Sequence, residues 1–522
     1  MADFSENGKS SESNVISTHV DEKFKVSGWG VRHSQCLVLM AALTIAYSLR
    51  ACMGVALVGM IENPVLDIKN STETNISAIA NETEDSFNVK GSDYEAHGFF
   101  NALMLIPPYP QFDWSKKTQD FIISSFFIGY MLLQVPAGQL AHRFGARRLV
   151  AGAMFINCAA SVLFPTVSFY GGWIAAASFR LTQGLAQACI MPACHTFLGK
   201  WTPLEERGRL SGVIYGAQAL GPVLGLPLTG FIAASPLGWP GIFRFYGILA
   251  GFSGAIIWFF CADSPAQNKK ISLAERNYIE EALKQNDACK RLKVPWSRLL
   301  RHRGLYAIII AHIGNTWGQL TLYSEVPAFM DKVMGVNIKA NGLLTALPFL
   351  VMFINNFFFG WLFDMLIVKK YLSVTWSRKL ANSIGNFGST FGLIVLAFYG
   401  QNIYMVETIM IIICGLNIAS HYGFLVNHID ISPNFAGTMM SLSNFCSNGV
   451  GVLAPNVAGL ILTDVTSIYL WRKVFLVTSG LFFITNVMYL LLGTSELADW
   501  NEPDLPKADE EADAMIKKNG NK

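Results

Sequence analysis

The sequence predicts an all-α membrane protein of twelve transmembrane helices in two pseudo-symmetric six-helix halves. Three observations predict it. Charge is scarce: of 522 residues, 52% are hydrophobic and 14% charged, against about 25% charged in a soluble domain. So few charges cannot cover a water-facing surface. Apolar runs approaching or exceeding the roughly 20 residues that cross a hydrocarbon core recur twelve times. A polar stretch at 262–304 then divides those runs six and six.

The elements follow in order. Residues 1–33 are polar, rich in Ser, Asn and charge, and read as disordered. They lack the charged-then-apolar order of a cleaved signal peptide, so the first apolar run is expected to stay as a helix. Six spans at 34–61, 118–140, 149–169, 172–198, 210–235 and 241–261 make the first half (34–261), interrupted by a long polar loop at 62–115. The central loop 262–304 is rich in Lys and Arg. Spans at 305–329, 341–364, 379–400, 403–427, 435–463 and 473–493 make the second half (305–493), and 494–522 is a polar tail. A 6+6 pattern is the plan of transporters built from two six-helix repeats. The halves echo each other faintly: GQLAHRFGARR follows span 2 and GWLFDMLIVKK ends span 8, placing Gly138 opposite Gly360 and His142 opposite Asp364.

Loop charge sets the expected orientation. Arg143, Arg147 and Arg148 follow span 2, Lys200, Arg207 and Arg209 follow span 4, and Lys369, Lys370 and Arg378 follow span 8. With twelve alternating helices these loops share one side with the central loop, which makes that side and both termini cytosolic. The loop 62–115 then lies outside. It carries three sequons, at Asn70, Asn75 and Asn81, which are glycosylated only on the non-cytosolic side. The net charge of +3 does not suggest nucleic acid. The nine cysteines show no Cys-x-x-Cys pair and read as small apolar residues. No soluble-enzyme motif or metal-ligand cluster stands out, so neither catalysis nor a cofactor is expected.

The polar residues inside the apolar runs carry the functional reading. In span 4, RLTQGLAQACIMPACH sets Arg180, Gln183, Gln187 and His195 within roughly 120° of one helical face. Arginine at membrane depth costs at least ~2.5 kcal/mol, so this face turns to the bundle interior. Pro192 is placed to kink the helix there. Arg50 lies inside span 1, with Tyr47 one turn before it. Two buried guanidiniums call for an anion, which they grip through paired hydrogen bonds. Pairing of Arg50 with Glu325, Glu407 or Asp364 and packing roles for the glutamines are the competing readings. Span 7 adds His312, Asn315, Gln319, Tyr323 and Glu325; span 10 ends with His421, Asn427, His428 and Asp430; span 11 carries Asn444, Asn448 and Asn456. Neutral oxygens of this kind suit Na⁺, whereas His or Glu suits a proton. Glu325, His312, Asn427, Asn444 and Asn448 are the coupling-ion candidates.

Several phrases together resemble a known family over about residues 34–500. GQLAHRFGARR, RLTQG and GAQALGPVLGLPLTG resemble signatures of the major facilitator superfamily. QGLAQACIMPACH, KWTPLEERGRLSG and NHIDISPNFAG are similar to its anion/cation symporters, which include sialin, the vesicular glutamate transporters and the type I sodium–phosphate cotransporters. The resemblance implies the major facilitator fold and makes Arg50 and Arg180 substrate-anion residues. Gln183 and Gln187 stand where sialin-like members have glutamate, and glutamate-type members share the glutamate at the position of Gln187. Glutamine there matches the sodium–phosphate branch. Asn315 aligns with a helix-7 arginine of glutamate-type members, and His142 replaces the usual signature aspartate. The expected function is a Na⁺-dependent inorganic phosphate cotransporter with substrate residues Arg50, Arg180, Gln183, Gln187, His195, Tyr47 and Asn315. A proton- or potential-driven carrier of organic anions is the alternative, and a multi-helix receptor the non-transport one. The sequence leaves open plasma, vesicular or lysosomal membrane.

Overall fold

The computed structural model describes residues 28–61, 109–283, 294–322, 329, 333–334, 338–400, 402–451, 453–464 and 466–501. The three sequons, Tyr323, Glu325 and most of both termini lie outside them. The described apolar runs form helices, and the helical segments group into twelve. They are α1 (Val31–Met60), α2 (Lys116–Phe144), α3 (146–171), α4 (173–188, continuing as Ile190–Trp201), α5 (Arg207–Ala233) and α6 (Gly238–Phe260). The second set is α7 (Arg303–Leu320), α8 (Ile338–Val368), α9 (Val374–Tyr399), α10 (Ile403–Ile431), α11 (Ala436–Gly451, then Leu453–Ile461) and α12 (Ile468–Leu492).

The tightest connection is a single residue. Gly172, with φ 61° and ψ −157°, breaks what is otherwise one helical run and turns α3 into α4. A residue with a Cβ would be strained there. Farther along α4 the chain breaks again at Cys189. Pro192 has no N–H to give the Ala188 carbonyl, and the Cys189 N–H turns back to Ala186 at 3.3 Å. The expected kink therefore falls one turn before the proline.

The helices pair in the same way in each half. α1 packs on α5 as α7 packs on α11, and α3 on α6 as α9 on α12. Between the halves, α2 and α4 pack on α11, and α5 packs on α8. The two matched loop sequences occupy equivalent places at these junctions. His142, at the end of α2, packs its ring 5.4 Å from that of Phe435 at the head of α11, tilted by 37°. Asp364, near the end of α8, accepts the N–H groups of Gly208 and Arg209 at 2.8 and 2.7 Å, at the head of α5. A carboxylate at a helix N-terminus is stabilised by the helix dipole and the free N–H groups.

The face that carries the basic loops is closed. Asp430 joins the halves: it accepts from Arg207 of α5 at 2.7 Å and from Arg378 of α9 at 2.6 Å, and all three are buried. Gly138 fits against Gly437, Thr438 and Ser441 of α11, where a Cβ would sit 2.8 Å from the Thr438 Cα. Gly199 fits in the same way against the Pro433 carbonyl. Beside this seal, Arg32 of α1 pairs with Glu206 at 2.7 Å and with Glu275 of the central-loop helix Leu273–Leu283 at 2.8 Å. That helix is thereby tied to the first half.

Candidate functional site: a cationic cavity between the halves

A cavity of about 650 Å³ lies between the halves on the far side of this seal. Its wall draws on α1, α2, α5, α7, α8, α10 and α11, together with Met191 of α4. Of the expected substrate residues, Tyr47, Arg50 and Asn315 line it. No Asp or Glu does so among the described residues.

Arg50 is held by aromatic faces. Its guanidinium carbon lies 4.7 Å from the Tyr130 ring centre, 5.0 Å from Phe126 and 5.2 Å from Tyr47. Its Nε is buried and has no hydrogen-bond partner. Rings attract the cation and leave its N–H groups uncommitted. Tyr130 is fixed in turn by Asn444 of α11, whose amide donates to the phenol oxygen at 2.8 Å. Asn448 donates to the Asn444 Oδ1 at 2.7 Å. Asn444 and Asn448 thus form a polar wall facing Arg50 from the other half. Asp364 is taken up at the head of α5, and Glu407 lies on the outer part of α10, away from the cavity. Neither neutralises Arg50.

Arg180, Gln183 and Gln187 are placed differently from the expectation. They are buried, but they do not line the cavity. Arg180 stands behind Phe126, its guanidinium carbon 4.8 Å from the ring that Arg50 also approaches. It donates to the Gln183 Oε1 at 2.8 Å, and Gln183 donates to Ser161 of α3 at 2.8 Å. Gln187 donates to Asn157 of α3 at 3.2 Å. The two glutamines bind α4 to α3, because α3 presents Asn157 and Ser161 one turn apart on the facing surface. The break at Cys189 turns the rest of α4, so His195 does not continue this face.

His195 joins another group. Its Nε2 lies 3.3 Å from the Tyr215 hydroxyl of α5, and its ring is 5.3 Å from that of His428 on α10. His428 Nε2 meets Ser443 of α11 at 2.7 Å, and Ser443 meets His312 of α7 at 3.2 Å. His312 and His421 form part of the cavity wall, so this buried group floors the cavity above the Asp430 seal. Asn427 is elsewhere: it donates to Tyr489 and to the Thr494 carbonyl near the basic face. Glu325 lies outside the described residues. Phe126, Tyr130, Tyr215 and Ser443 escaped the sequence reading, since aromatic and hydroxyl residues are ordinary in apolar helices.

Comparison with known proteins agrees with this architecture. Residues 96–455 match the family described as Major Facilitator Superfamily. A Drosophila ananassae protein named as a proposed inorganic phosphate cotransporter is 34% identical over 409 residues, 78% of this chain and 84% of that protein. Vesicular glutamate transporter 3 of Danio rerio is 31% identical over 78% of this chain and 69% of its own length. Sodium-dependent phosphate transport protein 1 of Mus musculus is 30% identical over 75% and 83%. Among solved structures, a proton:xylose symporter of the same superfamily superposes with a TM-score of 0.60 at 14% identity, covering 90% of this chain and 98% of that one. The chain belongs to the major facilitator superfamily and, within it, to the anion/cation symporters that include sialin, the vesicular glutamate transporters and the sodium–phosphate cotransporters.

Proposed function

We propose that the protein is a Na⁺-driven cotransporter of inorganic phosphate that works by alternating access around the cavity. The carrying observation is Arg50: a guanidinium on the cavity wall with a free Nε and, among the described residues, no carboxylate beside it. Such a group takes an anion through charge-assisted hydrogen bonds. Tyr47, Tyr130, Asn315, Asn444 and Asn448 are the polar groups within reach of an anion placed there. Arg180 adds its field from behind Phe126. Two relatives support phosphate as the cargo, the Drosophila and mouse proteins named for phosphate transport.

A second reading is favoured by cavity size. About 650 Å³ is far more than phosphate fills, and it falls within the roughly 300–1,000 Å³ of pockets that take drug-sized ligands. Phe127, Phe349 and Phe424 add an apolar wall. A larger organic anion would use both parts.

The test is radiolabelled phosphate uptake into proteoliposomes at fixed pH and clamped potential, with and without a Na⁺ gradient, beside Arg50→Gln. Na⁺-dependent uptake that the variant loses supports the reading. Folded protein that moves no phosphate rejects that substrate. Competition by organic anions under an imposed potential then tests the second reading.

A further inference from the structure

Behind Asn315, away from the cavity, the second half contains a buried row of neutral polar groups. Asn382, Asn386 and Thr390 recur every four residues on α9, so they share a face. Asn382 donates to Asn486 of α12 at 2.8 Å, and Thr390 reaches the Ser479 carbonyl of α12 at 3.4 Å. Asn386 lies between them, fully buried, and neither atom of its amide has a hydrogen-bond partner. The Asn382 Oδ1 is also without a partner. Buried amides in native proteins are nearly always satisfied, so these oxygens face something that accepts their lone pairs.

The second observation is on α10, at the same level. Its hydrogen-bond ladder changes register there. The His421 N–H goes to the Ile418 carbonyl, three residues back, and the Val426 N–H to His421, five back. Register changes of this kind release carbonyls from the helical ladder and recur at functional sites. α9 packs tightly here: a Cβ on Gly385 would lie 2.9 Å from the Asn417 carbonyl. Asn417 itself donates to Ser389, next to Asn386 on α9, at 3.1 Å.

We propose that the break in α10 and the row on α9 form a Na⁺ site, built from the side-chain oxygens of Asn386, Ser389 and Asn417 and the Asn417 carbonyl that the His421 N–H bypasses. The proposal rests on the Na⁺-driven reading above. Unwound backbone carbonyls and neutral side-chain oxygens are the donors that hold Na⁺ in broken transporter helices. No carboxylate or imidazole belongs to the row, so it offers a proton no base. Arg378, one turn below Asn382, donates to Asp430 at 2.6 Å and to the Tyr422 carbonyl of the break at 3.3 Å.

Asn315 links this site to the cavity. Its amide donates to the Asn417 Oδ1 at 3.3 Å and to Ser420 at 2.8 Å, and it lines the cavity as well. Na⁺ on the Asn417 oxygen displaces the Asn315 N–H toward the cavity, where it can donate to the anion. The anion then offsets the charge of a cation that has no carboxylate partner. Each ligand thus favours the other, as reciprocal linkage requires.

The experiment uses the purified full chain. Thermal unfolding in NaCl is compared with choline chloride at equal ionic strength, without phosphate. Na⁺ activation of phosphate uptake is measured alongside. Asn386→Ala, Ser389→Ala and the conservative Asn386→Asp are compared with wild type. Wild type is expected to gain stability from Na⁺. Asn386→Ala and Ser389→Ala are expected to lose that gain and need about tenfold more Na⁺ for half-activation, the scale set by loss of metal-site contacts. Their phosphate KM at saturating Na⁺ stays unchanged. Asn386→Asp, which adds a negative charge, should need less Na⁺. Wild-type Na⁺ responses in both Ser389→Ala and Asn386→Asp overturn the site, even if Asn386→Ala does not fold. In that case Na⁺-driven uptake would still stand. Na⁺ stabilisation that these variants abolish, in a protein whose uptake ignores Na⁺, would keep the site and reject the Na⁺-driven reading.

Discussion

Replacing Asp430 by asparagine should open the basic face. In the wild type, Asp430 neutralises Arg207 at 2.7 Å and Arg378 at 2.6 Å in a buried cluster. Only the first of these pairs crosses between the halves; the second survives when they part. Removing the carboxylate leaves two guanidiniums facing each other without water. Losing one partner of a buried pair typically costs about 3–5 kcal/mol. The cross-half limb accounts for roughly 1.5–3 kcal/mol of that, the worth of one hydrogen bond to a charged group. At 1.4 kcal/mol per decade, that is roughly a 10- to 100-fold shift toward the open face. Thr196 reports the change. It is 3% exposed on α4, and its hydroxyl sits where a Cβ on Gly437 of α11 would go. The assay is the rate at which a water-soluble maleimide labels Thr196→Cys in detergent, with and without Asp430→Asn. A rate 10- to 100-fold higher in the double variant is expected. Equal rates in two folded proteins would show that the Asp430 cluster does not hold the halves together.

Three further outcomes follow from the geometry. Gly138→Val places atoms against the Thr438 Cα and the Gly437 carbonyl, so the basic face cannot close; Thr196→Cys should label rapidly and uptake should be lost, while the melting temperature of each half's packing changes little. Gly184→Ala overlaps the Phe126 carbonyl inside the first half and should instead lower stability by about 1–3 kcal/mol, the scale of overpacking, measured by thermal unfolding. Arg32→Ala removes the side-chain pair between α1 and the central-loop helix, Glu275 at 2.8 Å, together with the Glu206 pair before α5, and leaves the Val31 and Arg32 N–H bonds to Glu275. Limited proteolysis within 273–283 should then speed up, and an unchanged cleavage rate would show that other contacts hold the helix.

Phe126 gives the two arginines a shared partner, and this bears on how substrate is handled. Arg50 and Arg180 approach the same ring at 5.0 and 4.8 Å, one on the cavity wall and one behind it. Phe126→Ala should therefore change anion affinity through Arg180, and the change should vanish in an Arg180→Ala background, as a double-mutant cycle in uptake would show.

Much of the fold was readable from the chain alone because the bilayer restricts the options. Backbone groups in lipid must be paired internally, so each long apolar run has to be a helix. The helix ends follow from the same runs, and the observed ends at Met60, Phe260 and Leu492 fall within a residue or two of the expected ones. The correspondence of His142 with Asp364 also came from sequence, since both loops follow the same kind of span, and the structure sets both residues at the heads of partner helices in the opposite half. The site was less readable. Periodicity put Arg180, Gln183, Gln187 and His195 on one face, but a single missing N–H at Pro192 reset the helix at Cys189 and separated them. Periodicity also cannot say which neighbour a face meets: Gln183 and Gln187 turned to Ser161 and Asn157 of α3, while Arg50 turned to the cavity. The sequence by itself determined that the chain crosses a membrane many times and carries arginines inside its apolar runs, because hydropathy and charge are properties of residues. Only the tertiary structure decided which charge meets the cavity, because that depends on which helices stand beside it.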